Sequence, residues 1–278
     1  MRSRRRVNKY PYIILGSIHL VMLVITLVKS RNRKRDMVLF LNYAGMAYIF
    51  EYIVVALFDG YVYKPKFIKQ RNLDNIFGAI WSQFFYVPVT ALFITVLNLG
   101  WRVKVLFSLY FVLIEKLFIF LGVFKNKWWK TRYTFCFILI SFYCNDYWNE
   151  QLKKKRPLIM FISLFNIIQV TWMNTVYLFA LLRKVRYGFP EFLSWKEHFI
   201  VGPFFGFLLS LATAFWTKKA TFTSLLLNFL TMSMVDLFLI RKHLEKIKNP
   251  LNLPLIYSII IMASHFYRKL IYKQLENE

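Results

Sequence analysis

The sequence predicts an all-α protein, a polytopic transmembrane helix bundle of eight or nine helices with no soluble domain. Three observations carry this. Of 278 residues, 58% are hydrophobic and 20% aromatic, at a mean hydropathy of +0.44, and a soluble fold of this length needs more polar surface than that. The apolar residues fall into nine stretches of roughly 16–26 residues, about the length needed to cross a hydrocarbon core at about 1.5 Å per residue. Short basic connections separate them, and none shows the alternation of a lipid-facing barrel strand.

The first stretch, 11–28, follows a basic start (Arg2, Arg4, Arg5, Arg6, Lys9). It is long for a signal peptide and no small-residue cleavage pattern follows, so a retained helix is expected. The second, 37–58, carries Glu51 well inside, on the face of Ala44 and Ala47. The connection 59–75 mixes aromatic and basic residues, which suits a segment lying along lipid head groups. In the third, 76–99, Pro88 removes a helix donor and predicts a kink. The fourth, 105–124, holds Glu115 near its middle, on the face of Ser108 and Gly122. Lys116 is about 100° around the helix from Glu115 and does not pair with it. Trp128, Trp129 and Lys130 then read as interfacial anchors.

The fifth stretch, 133–148, holds Cys136 and Cys144. They are about 12 Å apart along the helix axis, too far to bridge, and are expected to be buried apolar residues. Asp146 falls within about a turn of that stretch's end. The sixth, 157–182, has a polar stripe of Ser163, Asn166, Asn174 and Tyr177, with Gln169 at its edge. The seventh, 198–216, opens on Gly202-Pro203-Phe204-Phe205-Gly206. Its two glycines have the spacing of close helix packing, and its proline is expected in the first turn. The eighth, 221–240, repeats the stripe with Thr221, Ser224, Asn228 and Thr231, and Asp236 lies just outside it. The ninth is 251–267, with His265 near its end. No internal repeat is evident.

Thirty-eight Lys+Arg against thirteen Asp+Glu leave a formal charge of +25. No soluble module exists to carry nucleic-acid binding, so the basic residues are assigned to helix ends facing anionic head groups. The lipid bilayer is the expected partner, with an unidentified membrane protein as a further one. The excess of Lys and Arg on the N-terminal side of the alternation predicts a cytoplasmic N-terminus in the cell membrane.

A charge at mid-membrane costs at least about 2.5 kcal/mol, so buried polar groups need a reason. Glu51, Glu115, Asn166, Asn174, Asn228 and Asp236 form the candidate intramembrane polar site. They either hydrogen-bond between helices or line a route for a proton, cation or polar solute. Four scattered histidines (His19, His198, His243, His265) lack zinc-ligand spacing, and there is no phosphate loop, nucleophile elbow or paired acidic motif. No metal, cofactor or enzymatic activity is expected. The reading is a non-catalytic membrane component (scaffold, sensor or accessory subunit); the alternative is a small proton- or cation-linked transporter.

Over roughly residues 40–140 a further pattern runs through Phe50-Glu51-Tyr52, Asp59 to Lys66, Asp74-Asn75, Gly78, Ser82 and Pro88. It continues through Gly100-Trp101, Glu115, Leu121-Gly122 and Trp128 to Thr131. In these residues the chain resembles an uncharacterised family of small multi-pass membrane proteins of Bacillus-type Gram-positive bacteria. The resemblance implies a bacterial cytoplasmic membrane and a helical architecture, and it transfers no catalytic or binding role.

Overall fold

A computed structural model describes residues 9–190, 194–219 and 221–273. The basic start at Arg2 to Arg6 lies outside the described residues. Among the described residues, nine helical rods, named here in chain order, follow the nine apolar stretches. They are α1 (Tyr10–Lys29), α2 (Arg33–Glu51) with a π segment Tyr52–Leu57, and α3 (Arg71–Ile80) running through a π segment Trp81–Tyr86 into α4 (Val87–Val96). Next come α5 (Trp101–Phe120), α6 (Thr131–Lys153), α7 (Pro157–Leu181), α8 (Trp195–Thr217), α9 (Phe222–Arg241) and α10 (Asn252–Arg268). Among the described residues, six rods are long and apolar enough to cross a membrane. Only 28% of the apolar window of α1, and of α9, is buried, so most of each faces outward as lipid-solvated helices do.

Helices are not the whole structure. Among the described residues, four three-residue strands occupy connections between the rods: β1 (Tyr61–Tyr63), β2 (Phe124–Asn126), β3 (Val185–Tyr187) and β4 (Glu245–Ile247). β1 pairs antiparallel with β2 (Tyr61 opposite Asn126, Tyr63 opposite Phe124), and β3 pairs with β4 (Val185 opposite Ile247, Tyr187 opposite Glu245). Pairing satisfies backbone groups that a connection folded back against the bundle takes out of water. The connection 59–75 is therefore partly built into the protein: Tyr61 and Tyr63 are buried, and Lys66 and Phe67 are exposed.

The chain divides into two compact units, Met1–Lys153 and Lys154–Glu278. Each contains the same series of parts, which the sequence did not reveal. From α2 onward the first unit reads helix, strand, helix, helix, strand, helix, and so does the second from α7. The likeness extends to single bonds. Lys64 N–H donates to Val123 O at 2.9 Å, as Gly188 N–H does to Leu244 O at 2.9 Å. Lys127 N–H donates to Gly60 O (2.9 Å) as Lys248 N–H does to Lys184 O (3.0 Å). Left-handed residues fall at matching turns, Asp59 with Arg183 and Gly122 with His243. In both units a glycine lets a helix approach a strand tyrosine: a Cβ on Gly78 would clash with Tyr63, and one on Gly202 would meet Tyr187 at 2.9 Å.

Several details depart from the sequence reading. Ser194 and Glu197 form a reciprocal cap that starts α8 a turn early, so Pro203 lies inside the helix and not in its first turn. Pro88 follows a π segment, in which the Val87 N–H bonds to Ser82 O, so the rod continues through the proline. α6 extends to Lys153, which puts Asp146 well inside the helix, ion-paired to Lys104 and bonded to Thr95. Cys136 and Cys144 are free and exposed, not buried.

Candidate functional site

The first unit encloses a cavity of about 310 Å3. Its walls are largely aromatic and apolar, including Tyr12, Phe50, Phe111, Phe118 and Phe137. One region is polar, lined by Ser82, Gln83, Tyr61, Tyr63, Glu115 and Thr134. Phe137, Ile140 and Cys144 of α6 line the cavity and are also exposed, so the space reaches the outer face of the unit along α6. Beside them, Tyr43 of α2 donates to Ser141 of α6 at 2.6 Å.

The β1–β2 pair builds the polar end. Side chains alternate along a strand, so Tyr61, Tyr63, Phe124 and Asn126 share the face turned to the helices, with Val62 and Lys125 on the other. Tyr61 and Tyr63 donate to the two carboxyl oxygens of Glu51, at 2.5 and 2.7 Å. Burial, and then the charge of Glu51, push both tyrosine hydroxyls well above their ordinary range, so both stay protonated donors. Gln83 also bonds to Glu51. Gln83 and Ser82 come from the π segment of the third rod, and Glu51 immediately precedes that of the second. A π turn rotates the residues after it relative to a regular helix, and such turns concentrate at functional positions.

Glu115 lies five residues before the end of α5, toward the strand end of the unit and not at mid-helix. Gly122, at φ 74°, turns the chain into β2, and the return through α6 sets Thr131 and Thr134 on one helical face. Asn126 and Thr131 each donate to Glu115 at 2.7 Å, and Thr134 also donates to it. Trp129 N–H donates to the Thr134 oxygen at 2.8 Å, and its ring packs edge-on against Tyr61 at 5.5 Å. One belt therefore joins Glu51, Tyr61, Trp129, Thr134 and Glu115. Trp129 is 6% exposed, so it is a cavity wall and not an interfacial anchor. Trp128 is 48% exposed and bonds to Phe58 O, and Lys130 is exposed.

Of the six sequence candidates, Glu51 and Glu115 fall in the first unit and the other four in the second. In the second unit Asn166 is buried and Asn174 half-buried on α7. Asn228 of α9 donates to Thr217 of α8 at 3.1 Å, and Asp236 accepts from Tyr257 of α10. Those bonds are the interhelical kind. Sequence reasoning missed Tyr61, Tyr63, Gln83, Thr131 and Thr134. The alternation in Tyr61-Val62-Tyr63 is too short to separate from a loop, and the runs of the family resemblance that hold Tyr61, Tyr63 and Thr131 transfer no binding role. Among the described residues no group of three or more His, Cys, Asp or Glu could hold a metal ion.

The arrangement offers an apolar body site with fixed hydrogen-bonding groups at one end. In comparisons with known proteins, no family model, no curated protein and no solved structure matches the chain.

Proposed function

We propose that this is a non-catalytic component of the cell membrane, with its N-terminus cytoplasmic, that binds a lipid-soluble small molecule in its first unit. The observation that carries the reading is the aromatic cavity with a polar end, at the small end of the range of about 300–1,000 Å3 seen for ligand pockets. No Lys, Arg or His is among its lining residues, and two carboxyls stand at or behind its polar wall. Such a wall disfavours an anionic head group and suits a neutral or cationic one, an alcohol or amine on an apolar body. Glu51 and Glu115 are each committed to neutral donors from the protein, as fixed acceptors are and as acid–base catalysts poised on a substrate are not. Four of the residues that carry the family resemblance, Glu51, Tyr61, Glu115 and Trp129, belong to this belt, and that kinship is part of the proposal.

The test is the melting temperature of the protein in nanodiscs with a long-chain amine, alcohol or carboxylic acid of equal chain length. At about 100 times its dissociation constant a ligand adds about 2.7 kcal/mol, a shift of several degrees. The amine or alcohol should raise the melting temperature of wild type and leave Ile114→Trp, in which an indole fills the cavity, unmoved. No shift in wild type, or an equal shift in the filled variant, overturns the reading.

A second reading, a proton- or cation-linked transporter, draws on the two π segments that interrupt the helices beside Glu51. Broken helices mark many transport sites. Its test is ion flux into proteoliposomes, abolished by Glu51→Gln.

A further inference from the structure

We propose that the buried carboxyl pair Asp236–Glu245 of the second unit is a proton-binding site. It stands independently of the ligand cavity, which belongs to the first unit.

Asp236 lies on α9 and is 1% exposed; Glu245 opens β4 and is 4% exposed. The chain turns between them at His243, whose φ of 58° brings β4 back toward the helix it has just left. The two carboxyls come within hydrogen-bonding contact of one another. Tyr257 of α10 donates to Oδ2 of Asp236, and the Tyr187 hydroxyl, from the strand position opposite Glu245, approaches Glu245. Counting donors leaves a deficit: Oδ1 of Asp236 and both Glu245 oxygens have no well-aligned donor from the protein. Two carboxylates in contact away from water repel strongly, and each bare oxygen carries a desolvation cost. A single shared proton relieves both: it lowers the pair's charge by one and supplies the donor that joins the two groups.

The first unit shows what this position holds when no proton is needed. Glu115 stands where Asp236 stands, five residues before its helix ends, and accepts from Asn126, Thr131 and Thr134. The corresponding places in the second unit are Ile247, Asn252 and Leu255, two of which have no side-chain donor. Glu245 occupies the place of the apolar Phe124, as the register of the two strand pairs shows. One unit thus surrounds its carboxylate with neutral donors, and the other replaces them with a second acid.

Among the described residues, the titratable groups that interact with the pair are Tyr187 from β3 and Tyr257 from α10. Neither brings a positive charge that could substitute for the proton. His198 of α8 is engaged elsewhere, accepting from the Tyr187 backbone N–H at 2.9 Å. Arg186 lies over the Trp195 ring. Burial first, then the neighbouring Asp236, pushes the Glu245 carboxyl well above its ordinary range, in keeping with the geometry.

Infrared spectroscopy of the full chain in nanodiscs tests the site, through the protonated-carboxyl C=O absorption followed from about pH 5 to about pH 9. The difference spectrum of wild type minus Glu245→Gln should contain one protonated carboxyl at neutral pH, and wild type minus Asp236→Asn should contain one as well. Tyr257→Phe keeps both acids and removes one donor to the charged form, so its absorption should persist to higher pH than in wild type. Protonated-carboxyl absorption that is identical in wild type and both acid variants overturns the proposal. So does an unshifted titration in Tyr257→Phe, or a site that is ionised throughout and stabilised by added sodium.

Discussion

Glu115 and Glu51 differ in what their partners can tolerate. Glu115 accepts from the Asn126 amide and from two threonine hydroxyls, one of which is itself held by Trp129. A glutamine turned one way sets its amide nitrogen against the Asn126 donor, and turned the other way it competes with the Trp129 N–H for the lone pairs of the Thr134 hydroxyl. Glu51 faces mainly two tyrosine hydroxyls, which accept as readily as they donate. Glu115→Gln should therefore cost about 1–3 kcal/mol and Glu51→Gln about half as much or less. Melting temperatures of the two variants in one detergent decide it, and equal losses would contradict this account. Glu245 supplies a pH dependence. Its folded-state value is raised by burial, so the folded protein holds a proton that the unfolded chain releases near the ordinary glutamate range of about 4.3. The stability this brings is full below that range and is lost as pH rises through the folded value. The melting temperature of wild type should fall on alkalinisation, and Glu245→Gln should flatten the decline.

At the scale of elements, short connections do work that composition hides. The carboxylate of Asp74, in the first turn of α3, accepts from the backbone N–H groups of Lys66, Phe67 and Ile68 at 2.9–3.0 Å. Those bonds tie the basic segment after β1 to the helix, so Asp74→Ala should loosen it at a cost of about 1–3 kcal/mol. Faster tryptic cleavage at Lys66 and Lys69 is the measurement, and an unchanged rate counts against it. Helix positions were legible because each rod is a continuous apolar run. The strand pairs were not, since three residues carry too little alternation to register against flanking aromatic and basic residues. The Trp129 misassignment has the same origin. Two adjacent tryptophans look alike in sequence, and the turn after β2 sends one outward and the other into the cavity.

For the whole molecule, the two units share one plan with little sequence in common. The helix packing contacts behind that plan fall within each unit. Residues 154–278 expressed alone should thus insert as a folded unit of four rods, with cooperative loss of helical circular dichroism on heating in detergent. A non-cooperative loss would show that the unit depends on the rest of the chain. The repeat escaped sequence reading because it is written mainly in backbone events: matching left-handed turns, matching strand registers, a glycine under each strand tyrosine. Membrane-facing positions accept any large apolar residue, so little identity is needed to keep the plan.

By itself the sequence determined the class, a bundle of eight or nine rods, and their approximate ends. In a bilayer each backbone must satisfy its hydrogen bonds locally, and a local apolar run is enough to report that. Only the tertiary structure decided which carboxyl meets which donor, that Glu51 and Glu115 share a belt around one cavity, and that Asp236 meets Glu245. Those outcomes depend on residues brought together by turns and strand pairing across long stretches of chain, and no spacing along the sequence encodes them.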